Sequence, residues 1–178
     1  MLSITVPASE LWDEVNQEFL YTKECTLTLE HSLISLSKWE AIYRKPYLST
    51  EKNYKEIVDY IKCMTLTKNV DPNIYLCFTP DMIKTVDKYI NDTPTATWFS
   101  EDGGRPDRTV VTAEVIYYWM ISNGIYKECE RWNLNRLLTL IRVFSEKNKP
   151  KKKMSQSDIY RRNSELNAAR RKKLGSKG

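Results

Sequence analysis

The sequence predicts a mainly α protein: a compact helical domain with a small N-terminal β element and a basic C-terminal helical tail. Three observations carry the prediction. Five segments between Ser32 and Ser145 place apolar residues at the three-and-four spacing of an amphipathic helix. Two short N-terminal segments alternate instead, with the period of a strand. Charge divides the chain: residues 1–146 carry 16 Lys/Arg against 21 Asp/Glu, a net −5, while residues 147–178 carry 12 against 2, a net +10. That split reads as an acidic globular body, 1–146, followed by a basic tail, 147–178.

Taken in order, residues 2–6 (Leu-Ser-Ile-Thr-Val) alternate and are rich in β-branched types, and Pro7 ends them. Residues 25–29 (Cys-Thr-Leu-Thr-Leu) alternate in the same way and are a natural partner strand. Between them, Leu11, Trp12, Val15 and Phe19 fall at helical spacing or cover a loop. Ser32 is the expected N-cap of a helix through Lys45, with Leu33, Leu36, Trp39 and Tyr43 on one side and Pro46 as the stop. Thr50 is the expected cap of a second helix, whose stripe is Tyr54, Ile57, Val58, Ile61 and Met64. Thr79-Pro80 places proline at the first position of a third, ending near Asn91-Asp92.

The polar stretch from Thr93 to Arg108, with Gly103-Gly104, reads as an exposed loop. Thr112 opens a fourth helix, with Val115, Ile116, Trp119 and Met120 inward and Gly124 as the stop. The fifth is expected near residues 128–145, with Leu134, Leu137, Leu138, Ile141 and Phe144 along one side. The fourth and fifth are the most apolar segments and are expected to form the core. After Pro150 and three lysines, Ser155 with Asp158 resembles a capping box for a last helix, about 155–174, stopped by Gly175. Its apolar residues, Ile159, Tyr160, Leu166 and Leu174, are too few to bury a core. Such a helix is marginal in isolation.

Catalysis finds little support. There is no G-x-S-x-G, no Walker glycine loop and no G-x-G-x-x-G. His31 is the only histidine; Glu30 beside it offers a base-orienting carboxylate, but a strand-end histidine satisfied by the fold is preferred. Cys25, Cys63, Cys77 and Cys129 form no C-x-x-C pair and read as reduced thiols in a core rather than metal ligands. No enzyme activity, cofactor or metal is expected. No charged-then-apolar leader and no bilayer-length apolar run occurs in the sequence, so no membrane association and a cytosolic location are expected.

The candidate functional residues are therefore surface ones. Trp119 and Trp132 are placed in core stripes, and at least one of Tyr117 and Tyr118 must face outward. With Trp98 and Phe99 these tyrosines are a candidate partner groove. In the tail, Arg161, Arg162, Arg170, Arg171, Lys172 and Lys173 give a helix a positive face suited to phosphates or to a protein that orders it on binding. Only Tyr160 is aromatic there, so base stacking is poorly served.

Several strings together resemble a family of tail assembly chaperones of long-tailed bacteriophages. Leu29-Glu30-His31-Ser32-Leu33-Ile34-Ser35-Leu36-Ser37-Lys38-Trp39-Glu40 is similar to its N-terminal signature. Thr95-Ala96-Thr97, Ile116-Tyr117-Tyr118-Trp119-Met120 and Asn135 through Arg142 resemble its middle motifs. Lys152-Lys153-Met154-Ser155, Leu166 through Arg171 and Leu174 through Gly178 resemble its tail. The resemblance implies a non-enzymatic protein of the host cell cytoplasm. Such chaperones bind the tape measure protein before the tube forms, help recruit tail tube subunits and are absent from the mature virion. The alternatives are a structural tail or neck component retained in the virion, and a nucleic-acid-binding protein that uses the basic tail.

Overall fold

A computed structural model describes residues 1–13, 17–97, 99, 110–148 and 155–175. The chain divides into two units, Met1–Glu146 and Lys147–Gly178, each taken by itself below. Its architecture is mainly helical with a small N-terminal β element, as the sequence patterns predict. Among the described residues no helix is long and apolar enough to cross a membrane.

Strand β1 (Leu2–Val6) pairs antiparallel with β4 (Cys25–Leu29), Ile4 lying opposite Leu27. Alternation puts Ile4, Val6, Leu27 and Leu29 on one buried face. On the other face the Thr5 and Thr26 hydroxyls meet at 3.0 Å. The intervening segment is neither helix nor loop. It is a second antiparallel pair, β2 (Ser9–Asp13) with β3 (Glu18–Thr22), in which Trp12 lies opposite Phe19. The helical spacing of Leu11, Trp12 and Phe19 arises because apolar residues occupy both faces of this hairpin; Val15 lies outside the described residues.

Helix α1 (Leu33–Tyr43) starts on Ser32, whose hydroxyl accepts from the Ser35 amide in a full capping box. It ends on Arg44, which adopts the left-handed conformation at φ 54° and donates its amide to the Glu40 carbonyl, two residues before Pro46. Helix α2 (Tyr54–Met64) is capped by Asn53 with Glu56, not by Thr50. A carboxyamide followed three residues on by a glutamate satisfies two amides reciprocally, which a lone threonine further upstream does not. The chain leaving α2 returns to the first sheet: the Leu66 amide donates to the Thr28 carbonyl at 2.8 Å and the Glu30 amide to the Met64 carbonyl at 2.9 Å. A 3-10 helix, Pro72–Cys77, leads to α3 (Pro80–Asn91), capped by Thr79 with proline at its first position.

Helix α4 (Ala113–Ser122) is followed by Gly124 at φ 66°. The fifth helical segment begins later than its stripe suggests. Residues Lys127–Arg131 form a 3-10 helix, and α5 runs Leu134–Asn148. Asn133 sets that start: its side-chain oxygen accepts from the Asn135 and Arg136 amides, and the Leu134 amide donates to the His31 carbonyl at 2.7 Å.

The core is centred differently from expectation. Buried residues concentrate on α1 (Leu33, Ser35, Leu36, Trp39, Glu40) and α2 (Glu56, Val58, Tyr60, Ile61, Met64); α4 and α5 contribute three each. Composition overstated α4 because Tyr118 and Ile121 face outward. Trp132 is exposed, not core, with the Arg136 guanidinium 4.5 Å above its ring; Trp119 and Leu138 are half-buried. Of the cysteines, all free, Cys129 alone is buried and the other three are half-buried.

In the second unit, α6 (Gln156–Leu174) is capped by Ser155 and ends on Gly175 at φ 63°. None of its residues is buried.

Candidate partner-binding surface

A cavity of about 530 Å³ in the body is lined by the 47–52 segment, α2 and α3. Its formation starts at Glu40. This buried carboxylate accepts the Tyr47 amide at 2.8 Å through Oε1 and the Ala113 amide at 2.7 Å through Oε2. One side chain thus ties the chain after α1 to the start of α4, where Thr112 gives no side-chain cap. Glu56 braces the other end. It closes the α2 capping box, takes the Lys45 ammonium at 2.7 Å, and its carbonyl accepts the Trp39 indole N–H at 2.9 Å. The Lys45 ammonium bond first, then the Asn53 amide, hold the Glu56 carboxyl below its ordinary range.

Fixed in this way, the Tyr47 ring stacks on Tyr60 at 3.9 Å and meets Trp39 edge-on at 5.0 Å. Tyr60 shares a 2.6 Å hydrogen bond with His31 Nδ1. Burial pushes the His31 imidazole down to about 4 and raises the Tyr47 and Tyr60 phenols well above their usual value. His31 is thus a buried histidine whose Nδ1 is satisfied by the fold. Glu30 turns elsewhere, accepting the Tyr89 hydroxyl at 2.7 Å. Ile57, Ile61, Ile83 and Ile90 supply apolar walls, and Lys52 sits over the Tyr47 ring at 4.1 Å. Desolvation first, then repulsion from Lys45, lowers the Lys52 ammonium's proton affinity.

A second exposed feature is the β2–β3 hairpin. Trp12 and Phe19 pack edge-to-face at 4.9 Å while staying about half-exposed, and Tyr21 stands beside them on the same face.

The sequence-predicted residues are placed less compactly. Tyr118 on α4 is 67% exposed. Tyr117 is half-buried and donates its hydroxyl to Glu130 at 2.9 Å; burial, then that bond, pushes its phenol up to about 12. Phe99 is half-buried under the Arg142 guanidinium, 4.2 Å from its ring, and Trp98 lies outside the described residues. Among the described residues no ring-to-ring contact joins Phe99 to Tyr117 or Tyr118. In the tail unit, Arg161 stands 3.6 Å from Asp158, and Arg161, Arg162, Arg170, Arg171, Lys172 and Lys173 are all exposed on α6. Gly103-Gly104 also lies outside the described residues. Among the described residues no group of three or more His, Cys, Asp or Glu stands ready to hold a metal.

Sequence reasoning missed the groove. Ile57 and Ile61 read as plain core stripe, and Tyr47 sits in a loop with no periodicity. The usable signal was α3 itself, where Ile83, Val86 and Ile90 recur at helical spacing although Val86 alone is buried. The chain matches no family, no curated protein and no solved structure.

Proposed function

We propose that this chain is a tail assembly chaperone of a long-tailed phage, a non-enzymatic protein that binds the tape measure protein in the host cytoplasm, helps recruit tube subunits and is left out of the virion. The observation that carries the reading is apolar surface held open on a well-packed body. The α2–α3 groove opens beside the Glu40 carboxylate and the Tyr47–Tyr60 stack that fix its floor, and the Trp12–Phe19–Tyr21 face is exposed on the β2–β3 hairpin. A holdase needs that combination, because it must present apolar area without collapsing onto itself. The strings that resemble the family support the reading in a particular way. Leu33, Leu36 and Trp39, Ile116 and Met120, and Leu137 and Ile141 are all buried, so the body strings of the resemblance include residues that build the fold, whereas those on α6 are exposed.

The test is affinity capture of the tagged full-length chain from infected cells, with mass spectrometry of the captured material and of purified virions. The reading expects a long, apolar-rich helical phage protein in the capture and no copies in virions. Stoichiometric copies in virions favour the structural tail or neck component instead. Exposed α6, with six cations clustered at two places, keeps nucleic acid as the second reading. Tight duplex binding that falls steeply as salt rises, with no captured protein, supports it.

A further inference from the structure

Resting on that reading, we infer that the α2–α3 groove is the docking site for the partner, and that its occupant is an amphipathic helix whose apolar face carries a carboxylate for Lys52. The groove is shaped for side chains rather than backbone. Two of its walls are helices, whose main-chain groups are already paired along α2 and α3, and the third, the 47–52 segment, is not a strand, so an extended peptide finds no sheet edge to extend. What the walls offer is apolar: Ile57, Ile61, Ile83 and Ile90 around the Tyr47 ring. A volume of about 530 Å³ accommodates a few large side chains, as the anchors of a helix at i, i+3 or i+4, and i+7 require.

Charge selects the occupant. Lys52 is half-buried at the groove wall and is braced only by the Tyr47 ring, with no carboxylate within ion-pair distance among the described residues. Lys45, which repels it, is committed to Glu56. Lys84 and Lys88 add positive charge at the margin, where Lys84 is held by Asp81 at 3.1 Å. Asp87 also lines the groove and, like Glu56, attracts the Lys52 ammonium without forming an ion pair with it. A desolvated ammonium without an ion-pair partner, at the wall of an apolar groove, is completed by a carboxylate that arrives with apolar side chains. A cationic helix is rejected by the same field.

The experiment uses the intact chain and three synthetic 18-residue helical peptides with one leucine stripe, flanked by Glu, Gln or Lys. Binding is followed by fluorescence anisotropy. The Glu peptide is expected to bind saturably, about tenfold tighter than the Gln peptide, with the Lys peptide weakest. Lys52→Met should erase the difference between Glu and Gln peptides while keeping the Gln affinity. Ile83→Glu, on the half-buried wall, should abolish binding of all three with unchanged circular dichroism. Equal affinity of Glu and Gln peptides for the unaltered protein, or Glu-peptide binding that survives Ile83→Glu, overturns the inference. So does saturable uptake of decanoate by a chain that ignores every peptide, which assigns the groove to small amphiphiles. Capture from infected cells separates the two levels. If Ile83→Glu still captures the long phage protein, the groove assignment falls and the chaperone reading stands. If the unaltered chain captures nothing, the chaperone reading falls whatever the peptides do.

Discussion

Helices α1 and α6 open and close on the same devices. Ser32 and Ser155 each accept an amide three residues on, and Arg44 and Gly175 each end a helix in the left-handed conformation. Their fates differ in what lies between the caps. The 11 residues of α1 include five that are buried; the 19 residues of α6 include none. Caps define where a helix begins and ends, whereas its stability in a protein comes from the face it buries. The body has a buried core of its own, while the tail is a correctly punctuated helix without a buried face. The tail's charge sharpens the contrast: Arg171, Lys172 and Lys173 in the last turn complement the C-terminal dipole of α6 but also repel one another.

The largest expected effect sits in the body. Leu36→Ala empties a site with no solvent exposure and should cost about 3–5 kcal/mol, read by chemical denaturation. Leu166→Ala, the matching truncation on α6, should stay within about 0.5 kcal/mol. Comparable losses at both positions would break the comparison.

Acid should unfold the body through His31. Its folded-state value, about 4, lies below the 6.5 of an ordinary histidine, so the unfolded chain binds the proton more tightly. Stability is then fully present above about pH 6.5 and falls as pH drops towards 4, by roughly 3 kcal/mol over that window. Denaturant midpoints of the native chain and of His31→Asn, measured from pH 7 to 4, isolate this contribution; parallel profiles would remove it.

Glu40→Gln comes next. Glutamine keeps one acceptor but turns an amide group towards the second backbone donor, so Tyr47 or Ala113 loses its partner. The expected cost is about 1–3 kcal/mol, with a loosened groove visible as new tyrosine side-chain exchange by NMR. The smallest effect belongs to deletion of residues 147–178, which should shift the body's melting temperature by less than about 2 °C. Cooperative loss of the body on that deletion would place the tail in its core.

Much of this was legible in the residues. Local punctuation predicted well: Ser32, Thr79-Pro80, Gly124, Ser155 and Gly175 lie where the helix ends fall, because capping is chemistry of three or four neighbouring residues. The β1–β4 pair was legible from strict alternation. The β2–β3 hairpin was not, because apolar residues on both faces blur the period of two into something that mimics a helix. The delayed start of α5 depends on Asn133 meeting the chain at His31 and Ser32, roughly a hundred residues away in sequence. The groove is invisible for the same reason, since Tyr47, Ile57 and Ile83 become neighbours only through the tertiary fold.

Hydrogen exchange on the full-length chain, free and in the complex captured from infected cells, tests the account most directly. In the free protein, amides of β4, α1 and α2 should be protected to the level of global unfolding, while those of 156–174 exchange within seconds. In the complex, protection should rise over 47–61 and 83–91 and spread into α6. Strong protection of α6 in the free chain, or a partner footprint that leaves 47–61 and 83–91 unchanged, would contradict it.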